Sequence, residues 1–338
     1  MGRESHRKPI AKNSRMKRGS SMRGIGMKQY GGIQQLTEME WPTKPIGPED
    51  VLISIKASGV NPVDWKVREG LLQADFPFEL PLILGWDAAG TVTAVGTNVQ
   101  DFQIGDDVFF RPELEREGTY ADEIVVPANI VAPMPRGLSY AEAASLPLVG
   151  LTVWQALVEV GKVQAGEKVL VLGGSGGIGS MAIQLAKALG AYVATTTSSK
   201  NSDFVRELGA DEVIAYDQGP LHTSTPFSFM LDTLGGEAYG DAIKLMKRQG
   251  RVATIISERD AKKPSFADAV EKERELDVTF GFTRPDGVNL NHIRALVEAK
   301  NVKPILTKVY PLTLEGVRDA HLFSQTGRVR GKIVLVHS

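Results

Sequence analysis

Three glycines that follow an apolar run are the most chemically informative residues of this chain. Gly174, Gly176 and Gly179 stand at the G-x-G-x-x-G spacing within LVLGGSGGIGSMA. An amphipathic segment follows at 181–189 and a second apolar run at 192–196, so the stretch predicts one β-α-β unit. In dinucleotide-binding proteins the first glycine allows a tight turn, the second lets the pyrophosphate approach the backbone, and the third lets the helix pack on the strand. The alternative is a glycine-rich turn without a ligand.

The start of the helix after these glycines offers free N–H groups, and the helix dipole favours negative charge there. We therefore predict that the pyrophosphate of a nicotinamide dinucleotide lies on this loop. The residues predicted to contact it are Gly174, Ser175, Gly176, Gly177, Ile178 and Gly179.

The end of the next strand bears on which dinucleotide is bound. An NAD site usually carries an Asp or Glu about 20 residues past the glycines, where it binds the ribose hydroxyls. Here no acidic residue lies between Gly179 and Asp203. Hydroxyl groups and an ammonium can bind a 2′-phosphate, so we predict NADP(H) as the cofactor. The residues predicted on that side are Ser198, Ser199, Lys200 and Tyr216, although Lys200 could equally be a solvated loop lysine.

Composition excludes several classes of protein. The chain has 338 residues, 42% of them hydrophobic, which is enough for two domains with their own cores. A net charge of -1 argues against nucleic-acid binding through bulk charge, and no apolar run approaches the length that crosses a bilayer. The absence of cysteine excludes disulfides and thiolate metal sites. The five histidines lack metal-ligand spacing, and we expect them on the surface or in hydrogen-bond networks.

Residues 1–21 differ from the rest of the chain. They carry seven basic residues and one acid, Glu4, with almost no apolar periodicity, and so predict a disordered basic extension. A targeting peptide, a leader and an upstream start remain alternatives, since Met22 begins a natural first strand. The default expectation is a cytoplasmic protein.

The pattern of strands and helices predicts an α/β fold. Short strands between 51 and 131, with frequent Gly and Pro, indicate a mainly β domain. Helices are predicted at 141–146 and 151–160, and after them strands and helices alternate. Six strand candidates then predict a doubly wound parallel sheet of the Rossmann type. The tail should form a helix, an extended segment, a second helix and a final strand at 331–336 that returns to the first domain.

Several segments together resemble a known family. ASGVNPVDWKVREG, LPLILGWDAAGTVTAVG, GTYADEIVVP, SLPLVGLTVWQAL and RGKIVL look like the zinc-independent quinone oxidoreductase and alkenal reductase branch of the medium-chain dehydrogenase/reductase superfamily. The resemblance runs from about Met22 to the C-terminus. It implies a GroES-like domain at 22–148 and 286–338, a Rossmann NADP-binding domain at 149–285, and a homodimer.

Departures from the zinc enzymes of that superfamily shape the expected reaction. Asn61 stands where they have a metal-binding Cys, and Gly85, Trp86 and Asp87 stand where they have Gly-His-Glu. We therefore expect no metal, and without a Lewis acid alcohol oxidation loses its main electrostatic help. The expected reaction is hydride transfer from NADPH to a small hydrophobic quinone or α,β-unsaturated carbonyl compound.

The family resemblance implies two catalytic candidates and one further cofactor contact. Lys66 would polarise the substrate carbonyl or hold the nicotinamide ribose; the alternative is a surface lysine lying on Trp65. Asn61 would lie near the nicotinamide or substrate, or simply form a turn. Thr152 would contact the nicotinamide ribose, or cap a helix start. Asp64 is assigned to structure, because a carboxylate would oppose the charge that develops on the substrate.

A pocket lined by aromatic residues and one arginine is expected to receive the substrate. Arg111 is the charged residue that could select an acidic or polar tail. The predicted pocket residues are Trp65, Trp86, Arg111, Phe280 and Phe282. Two other functions stay open: a catalytically weak NADPH-binding sensor or RNA-associated crystallin-like protein, and a metal-free ketone reductase.

Overall fold

Two large β-sheets and a small one make up the framework of the protein. The computed structural model describes residues 21–257, 262–281 and 283–337. The predicted extension at 1–21, apart from Ser21, and Phe282 lie outside the described residues. The strands are β1 Ser21–Met27, β2 Leu36–Pro42, β3 Asp50–Val60, β4 Leu82–Ile83, β5 Ala88–Val95, β6 Asp107–Phe110, β7 Glu123–Pro127, β8 Val131–Pro133, β9 Lys168–Val171, β10 Tyr192–Thr197, β11 Glu212–Ala215, β12 Phe227–Asp232, β13 Met246–Thr254, β14 Asp277–Phe280, β15 Leu306–Pro311 and β16 Lys332–Val336.

Helices cover the sheets and connect them. They are α1 Pro62–Arg68, α2 Tyr140–Ala144, α3 Pro147–Trp154, α4 Gly177–Ala188, α5 Ser202–Glu207, α6 Gly236–Ala242, α7 Ala267–Glu273, α8 Gly287–Glu298 and α9 Leu314–Gln325. The helix predicted at 151–160 is present, but its second part, Gln155–Val160, is π-helical. No helix within the described ranges has the length and apolar character needed to cross a membrane.

The six strands predicted from the alternating pattern form one parallel sheet, in the order β11-β10-β9-β12-β13-β14. Central strand β12, with the sequence FSFMLD, is buried along its whole length because helices cover both faces of the sheet. This confirms the prediction of a Rossmann-type α/β fold.

The second large sheet joins the two ends of the chain. Strand order is β15-β16-β3-β5-β6-β8, with β7 also paired to β3. The final strand β16 is antiparallel to β3, with Val334 opposite Gly59. The tail therefore returns to the first, GroES-like domain, as predicted. The residue-level domain boundaries stay a prediction; the one between 148 and 149 falls inside α3.

The C-terminal segment also touches the Rossmann sheet. Gly331 N donates a hydrogen bond to Ser175 O (3.0 Å), so the last turn before β16 lies on the glycine loop. This contact places the glycine loop, β16 and the start of α1 around one cleft. The cleft opens at the carboxyl ends of the parallel strands, where α/β proteins bind ligands.

Candidate active site

Helix α1 carries Lys66 to the wall of the cleft. The helix begins at Pro62, and the Asp64 carboxylate accepts a hydrogen bond from Asn61 N (2.8 Å) at its first turn. The half-buried side chain of Lys66 lines a cavity of about 420 Å³. Its ammonium group forms no hydrogen bond or ion pair with any other described residue. It is therefore available to a ligand in that cavity.

A buried ionic network lies beside Lys66 at the start of α1. Asn61 Nδ2 donates to Asp87 Oδ2 (2.8 Å), and Lys332 Nζ contacts the same carboxylate oxygen (3.0 Å). Lys332 Nζ also donates to Asn61 Oδ1 and to Val60 O (3.2 Å). The other carboxylate oxygen of Asp87 accepts from Leu148 N (2.6 Å). The network thus joins β3, the segment before β5, α3 and β16.

This network supplies its own cation. Asn61 and Asp87 stand where zinc enzymes of similar sequence have a metal-binding Cys and the Glu of Gly-His-Glu, and Lys332 Nζ lies between three oxygens here. No cluster of three or more His, Cys, Asp and Glu side chains suited to a metal ion occurs in the described part of the chain. The amide of Asn61 is engaged on both sides, so Asn61 has a structural role, and its catalytic role stays a prediction.

Asp64 is buried beneath α1, as its structural assignment requires. Besides Asn61 N, its Oδ2 accepts from the Tyr120 hydroxyl (2.6 Å), while Oδ1 is buried without a partner in the described ranges. Burial raises the pKa of Asp64 to about 7, although the hydrogen bonds and the charge of Lys332 favour the ionised form. This carboxyl group holds the helix that carries Lys66.

The C-terminal helix α9 fixes the other end of α1. Arg68 is 1% exposed, and its Nη1 donates to His321 Nδ1 on α9 (3.1 Å). Gln325 on α9 reaches Glu69 (2.7 Å) at the end of α1. Burial, reinforced by the charge of Arg68, lowers the pKa of His321 to about 3, so this histidine is neutral. It lies in a buried network, one of the two positions expected for the histidines.

The cavity beside Lys66 is mostly apolar. Its apolar wall comes from both domains, with Leu72 and Phe76 on one side and Ile255, Ile256 and Phe280 on the other. Two cations line it, Lys66 and Arg111, and one acid, Asp75, among the residues that the structure describes. Apolar walls with a few polar groups are typical of sites for small organic molecules.

Two of the predicted pocket residues do not line this cavity. Trp86 is fully buried in the core of the first domain, where its ring packs near Phe78 (centroids 6.4 Å apart). Trp65 is half-buried on α1 but is absent from the cavity wall. The prediction for Trp86 was therefore wrong, because its ring is part of the hydrophobic core. For Trp65, a contact with substrate stays a prediction that this cavity does not support. Arg111 and Phe280 do line the cavity.

Thr152 lies where the cavity meets α3. Its hydroxyl donates to Leu148 O (2.7 Å), one turn earlier, and lies 2.5 Å from the Thr283 hydroxyl. Because the Thr152 proton is engaged by Leu148, Thr283 is the donor in that pair. Thr152 faces the cavity, while its contact to a nicotinamide ribose stays a prediction.

The glycine loop has the predicted shape with one correction. The positive φ of the tight turn (+70°) falls on Gly173, not on Gly174 as predicted. Gly174 is needed for packing, because a Cβ there would lie 2.1 Å from Thr195 Oγ1. A Cβ on Gly176 would meet nothing closer than 3.5 Å, which leaves the backbone open to a ligand. On Gly179 it would lie 2.2 Å from Gly173 O, as expected for helix-on-strand packing.

A groove of about 280 Å³ runs over this loop and continues into the cavity. Gly176, Gly177, Ile178 and Gly179 line the groove, whereas Gly174 and Ser175 do not. Groove and cavity share five lining residues, which are Asn61, Pro62, Leu148, Ile178 and Thr233. A long ligand can therefore lie on the glycine loop and extend one end towards Lys66.

The residues predicted to bind the adenosine side of the cofactor lie beside an acid that sequence reasoning missed. Asp217, just after β11, accepts hydrogen bonds from Ser199 N and Ser199 Oγ (both 2.8 Å). These bonds lower the pKa of Asp217. Lys200 is exposed beside it, and Tyr216 is also exposed. Asp217 lies beyond the interval from Gly179 to Asp203, but adjacent parallel strands end side by side, so its position after β11 was the available signal.

Polar atoms near the glycine loop indicate that a nucleotide fits there. Asn201 Nδ2 donates to Ser175 Oγ (3.2 Å) and, weakly, to the buried Ser198 Oγ (3.3 Å). Asn201 Oδ1 and Thr197 Oγ1 are buried without a partner within the described residues. Together with the open backbone at Gly176 and the N-terminus of α4, these groups fit a dinucleotide.

Comparison with known proteins agrees with this geometry. Residues 47–136 match the model described as the alcohol dehydrogenase GroES-like domain, and residues 208–335 match the one described as zinc-binding dehydrogenase. A mitochondrial NAD(P)H oxidoreductase of Bos taurus is 34% identical, and the alignment covers 85% of this chain and 82% of the relative. The chain belongs to the medium-chain dehydrogenase/reductase superfamily.

Other members of the superfamily are similar over most of their length. An NADPH-dependent alkenal/one oxidoreductase of Arabidopsis thaliana is 32% identical over 90% of this chain and 77% of the relative. The structure of a quinone oxidoreductase from Coxiella burnetii superposes with a TM-score of 0.85, at 30% identity, over 94% of this chain and all of that one. This member is accordingly an oxidoreductase that uses a nicotinamide cofactor.

Proposed function

We propose that this protein is an NADPH-dependent, metal-free reductase of quinones or α,β-unsaturated carbonyl compounds. The observation that carries the proposal is the ammonium of Lys66, which has no partner among the described residues, in an apolar cavity that continues into the groove over the glycine loop. The names of two relatives, an alkenal/one oxidoreductase and a quinone oxidoreductase, support the same class of substrate.

The chain's own residues would stabilise charge on the acceptor. When bound, the reduced nicotinamide supplies a hydride, which adds two electrons to the electron-poor carbon. Negative charge then develops on the carbonyl oxygen, and Lys66 would donate a hydrogen bond to that oxygen. A proton from solvent completes the conversion of the double bond to a single bond. The Asn61–Asp87–Lys332 network would hold the start of α1, and hence Lys66, in place.

The preference for NADPH over NADH is part of the proposal. Ser198, Lys200 and the Thr197 hydroxyl, which has no partner within the described residues, favour a phosphorylated ribose. Asp217 opposes it, because its carboxylate already occupies both donors of Ser199. We expect Lys200 to prevail, since the exposed Asp217 can turn away into solvent whereas no other acid follows β10 before Asp203.

The test is steady-state oxidation of NADPH and NADH with four acceptors: a quinone, an enal, an enone and the saturated ketone of the same skeleton. We expect turnover with the first three, faster with NADPH, and none with the saturated ketone. Turnover of the saturated ketone in the absence of enone reduction would contradict the proposal, and so would dependence of the rate on an added divalent metal.

The assembly and the location of the protein are also part of the proposal. Strand β14 forms an edge of the parallel sheet, and its Phe280 is 47% exposed, so this edge can pair with a second copy in a homodimer. Light scattering coupled to gel filtration would contradict this if it gave the mass of one chain. We propose a cytoplasmic location, to be checked by imaging a fluorescent C-terminal fusion.

A further inference from the structure

Arg111 is a buried cation with a single hydrogen-bond acceptor among the residues that the structure describes. The residue follows β6 directly and is 2% exposed. Its Nη1 donates to the neighbouring Pro112 O (3.3 Å), while Nε is buried without an acceptor in the described part of the chain. Nη2 donates to none of the residues in the described ranges. A buried guanidinium normally forms several hydrogen bonds or an ion pair, because its desolvation is costly.

The two carboxylates whose charges act most strongly on Arg111, those of Asp87 and Asp64, do not meet this need. Asp87 is bound by Asn61, Lys332 and Leu148 N, and Asp64 by Tyr120 and Asn61 N, and neither forms a hydrogen bond with Arg111. Burial lowers the pKa of Arg111 to about 10, with the charges of Asp87 and Asp64 acting against the change. The guanidinium is thus still charged at neutral pH, and its hydrogen-bonding capacity is directed elsewhere.

The place of Arg111 separates it from the cofactor phosphates. It lines the cavity beside Lys66, and it is absent from the groove over the glycine loop. The loop already offers backbone N–H groups to the pyrophosphate. A ligand that satisfies Arg111 must therefore belong to the molecule that fills the apolar cavity, which is the acceptor substrate of the proposed reaction.

We propose that Arg111 binds a carboxylate carried by the substrate, so that the preferred acceptors are α,β-unsaturated carbonyl compounds with a carboxylate at a distance from the reacting double bond. A guanidinium matches a carboxylate through two parallel hydrogen bonds, which a neutral ester cannot reproduce. Lys66 then holds the carbonyl oxygen and Arg111 the acid, which fixes the direction in which the chain of the substrate enters. This inference rests on the proposed function.

The experiment compares an acid with its neutral counterpart. The substrates are (E)-6-oxohept-4-enoate and its methyl ester, and the product analogues are 6-oxoheptanoate and its methyl ester. Variants are Arg111→Met, Arg111→Lys and the matched control Arg116→Met, which removes an exposed arginine from the same loop. Turnover gives kcat/KM for each substrate, and calorimetry on the protein saturated with NADP⁺ gives the affinity for each product analogue.

For the wild type and the Arg116→Met control we expect the acid to exceed the ester at least tenfold in kcat/KM and in affinity. Arg111→Met should lose this advantage and leave the ester within twofold of the wild type, while Arg111→Lys should keep part of it. If Arg111→Met fails to fold, the inference is tested by the ratio of kcat/KM for the acid to that for the ester. This ratio should be at least tenfold in the wild type and smaller in Arg111→Lys.

Equal values for acid and ester in the wild type would overturn the inference and leave the proposed function intact. Selective binding of the acidic product analogue by the wild type, without turnover of either substrate, would contradict the proposed function and leave the inference about Arg111 intact. A loss of NADPH affinity in Arg111→Met, with no change in the acid-to-ester ratio, would assign Arg111 to the cofactor and also overturn the inference.

Discussion

The pH dependence of stability offers a quantitative test of how α1 is anchored. Burial raises the pKa of Asp64 to about 7 in the folded protein, against an ordinary value of 3.8. Between pH 3.8 and pH 7, Asp64 is therefore ionised in the unfolded chain and protonated in the folded protein. The contribution of Asp64 to the free energy of unfolding is thus fully present below pH 3.8, decreases as pH rises, and is lost above pH 7.

His321 acts in the opposite direction within the same core. Burial lowers its pKa to about 3 from 6.5, so below pH 6.5 the unfolded chain binds the proton more readily. Its contribution is present above pH 6.5 and is lost as pH falls towards 3. Each pKa unit corresponds to about 1.4 kcal/mol, so each residue accounts for roughly 4–5 kcal/mol in total, about 2 kcal/mol of it between pH 5 and 7.

Two substitutions separate these effects. Asp64→Asn keeps an oxygen for the Tyr120 hydroxyl and Asn61 N but no longer titrates. Between pH 5 and 7 we expect the free energy of unfolding of the wild type to fall by about 2 kcal/mol relative to Asp64→Asn. Over the same pH range the free energy of unfolding of the wild type should rise by a similar amount relative to His321→Gln. Urea unfolding at four pH values, followed by circular dichroism, measures both differences, and other titrating groups cancel in each comparison.

A difference between wild type and Asp64→Asn that stays constant from pH 5 to 8 would refute the reasoning. It would mean that Asp64 is ionised in the folded protein throughout and that burial does not control its pKa. Tyr120→Phe serves as a control: it removes a hydrogen bond that favours the ionised form, so the step should move to higher pH.

Three further predictions concern the site. Lys66→Ala should lower kcat with an enone at least tenfold and leave the dissociation constant of NADPH, measured by fluorescence, within twofold; an unchanged kcat would end its catalytic assignment. Lys200→Ala should weaken NADPH more than NADH, whereas Asp217→Asn should strengthen NADPH selectively by freeing Ser199; equal effects on both cofactors would remove these residues from phosphate recognition. Lys332→Met should lower the free energy of unfolding by about 3–5 kcal/mol, since it leaves a buried carboxylate unpaired, and a smaller loss in urea unfolding would mean that the network is dispensable.

Much of the fold could be predicted because its determinants are local. The central strands of the parallel sheet are short apolar runs between turn residues, and KVLV and FSFMLD are largely buried as such runs require. The glycine loop was also identifiable, since a Cβ on Gly174 or Gly179 would collide with neighbouring atoms and only glycine fits at these positions. The position of the tight turn could not be predicted, because Gly173 and Gly174 are both glycines and the sequence pattern is compatible with a turn at either residue.

The site was harder to predict because its partners are distant in sequence. A tryptophan contributes the same apolar surface to a core as to a cavity wall, so nothing local distinguished Trp86 from Phe280. The approach of Asp217 to Ser199 depends on two strands ending at one edge of the sheet. Lys332 did leave a signal: it is the one charged residue in the strand KIVLV, and a charge within a buried strand requires a partner.

Lys332 and Arg111 show how burial distinguishes a structural cation from a functional one. Both are at least 95% buried, and both lie near Asp87. Lys332 has three oxygens from the chain around its ammonium group, so folding alone satisfies it. Arg111 has one oxygen within the described ranges, from its own neighbour Pro112. Because the cost of an unsatisfied buried charge is borne by the free protein, a ligand that brings an anion to Arg111 gains affinity from relieving that cost. Substitution of Lys332 should therefore reduce stability, while substitution of Arg111 should change which acceptors are reduced.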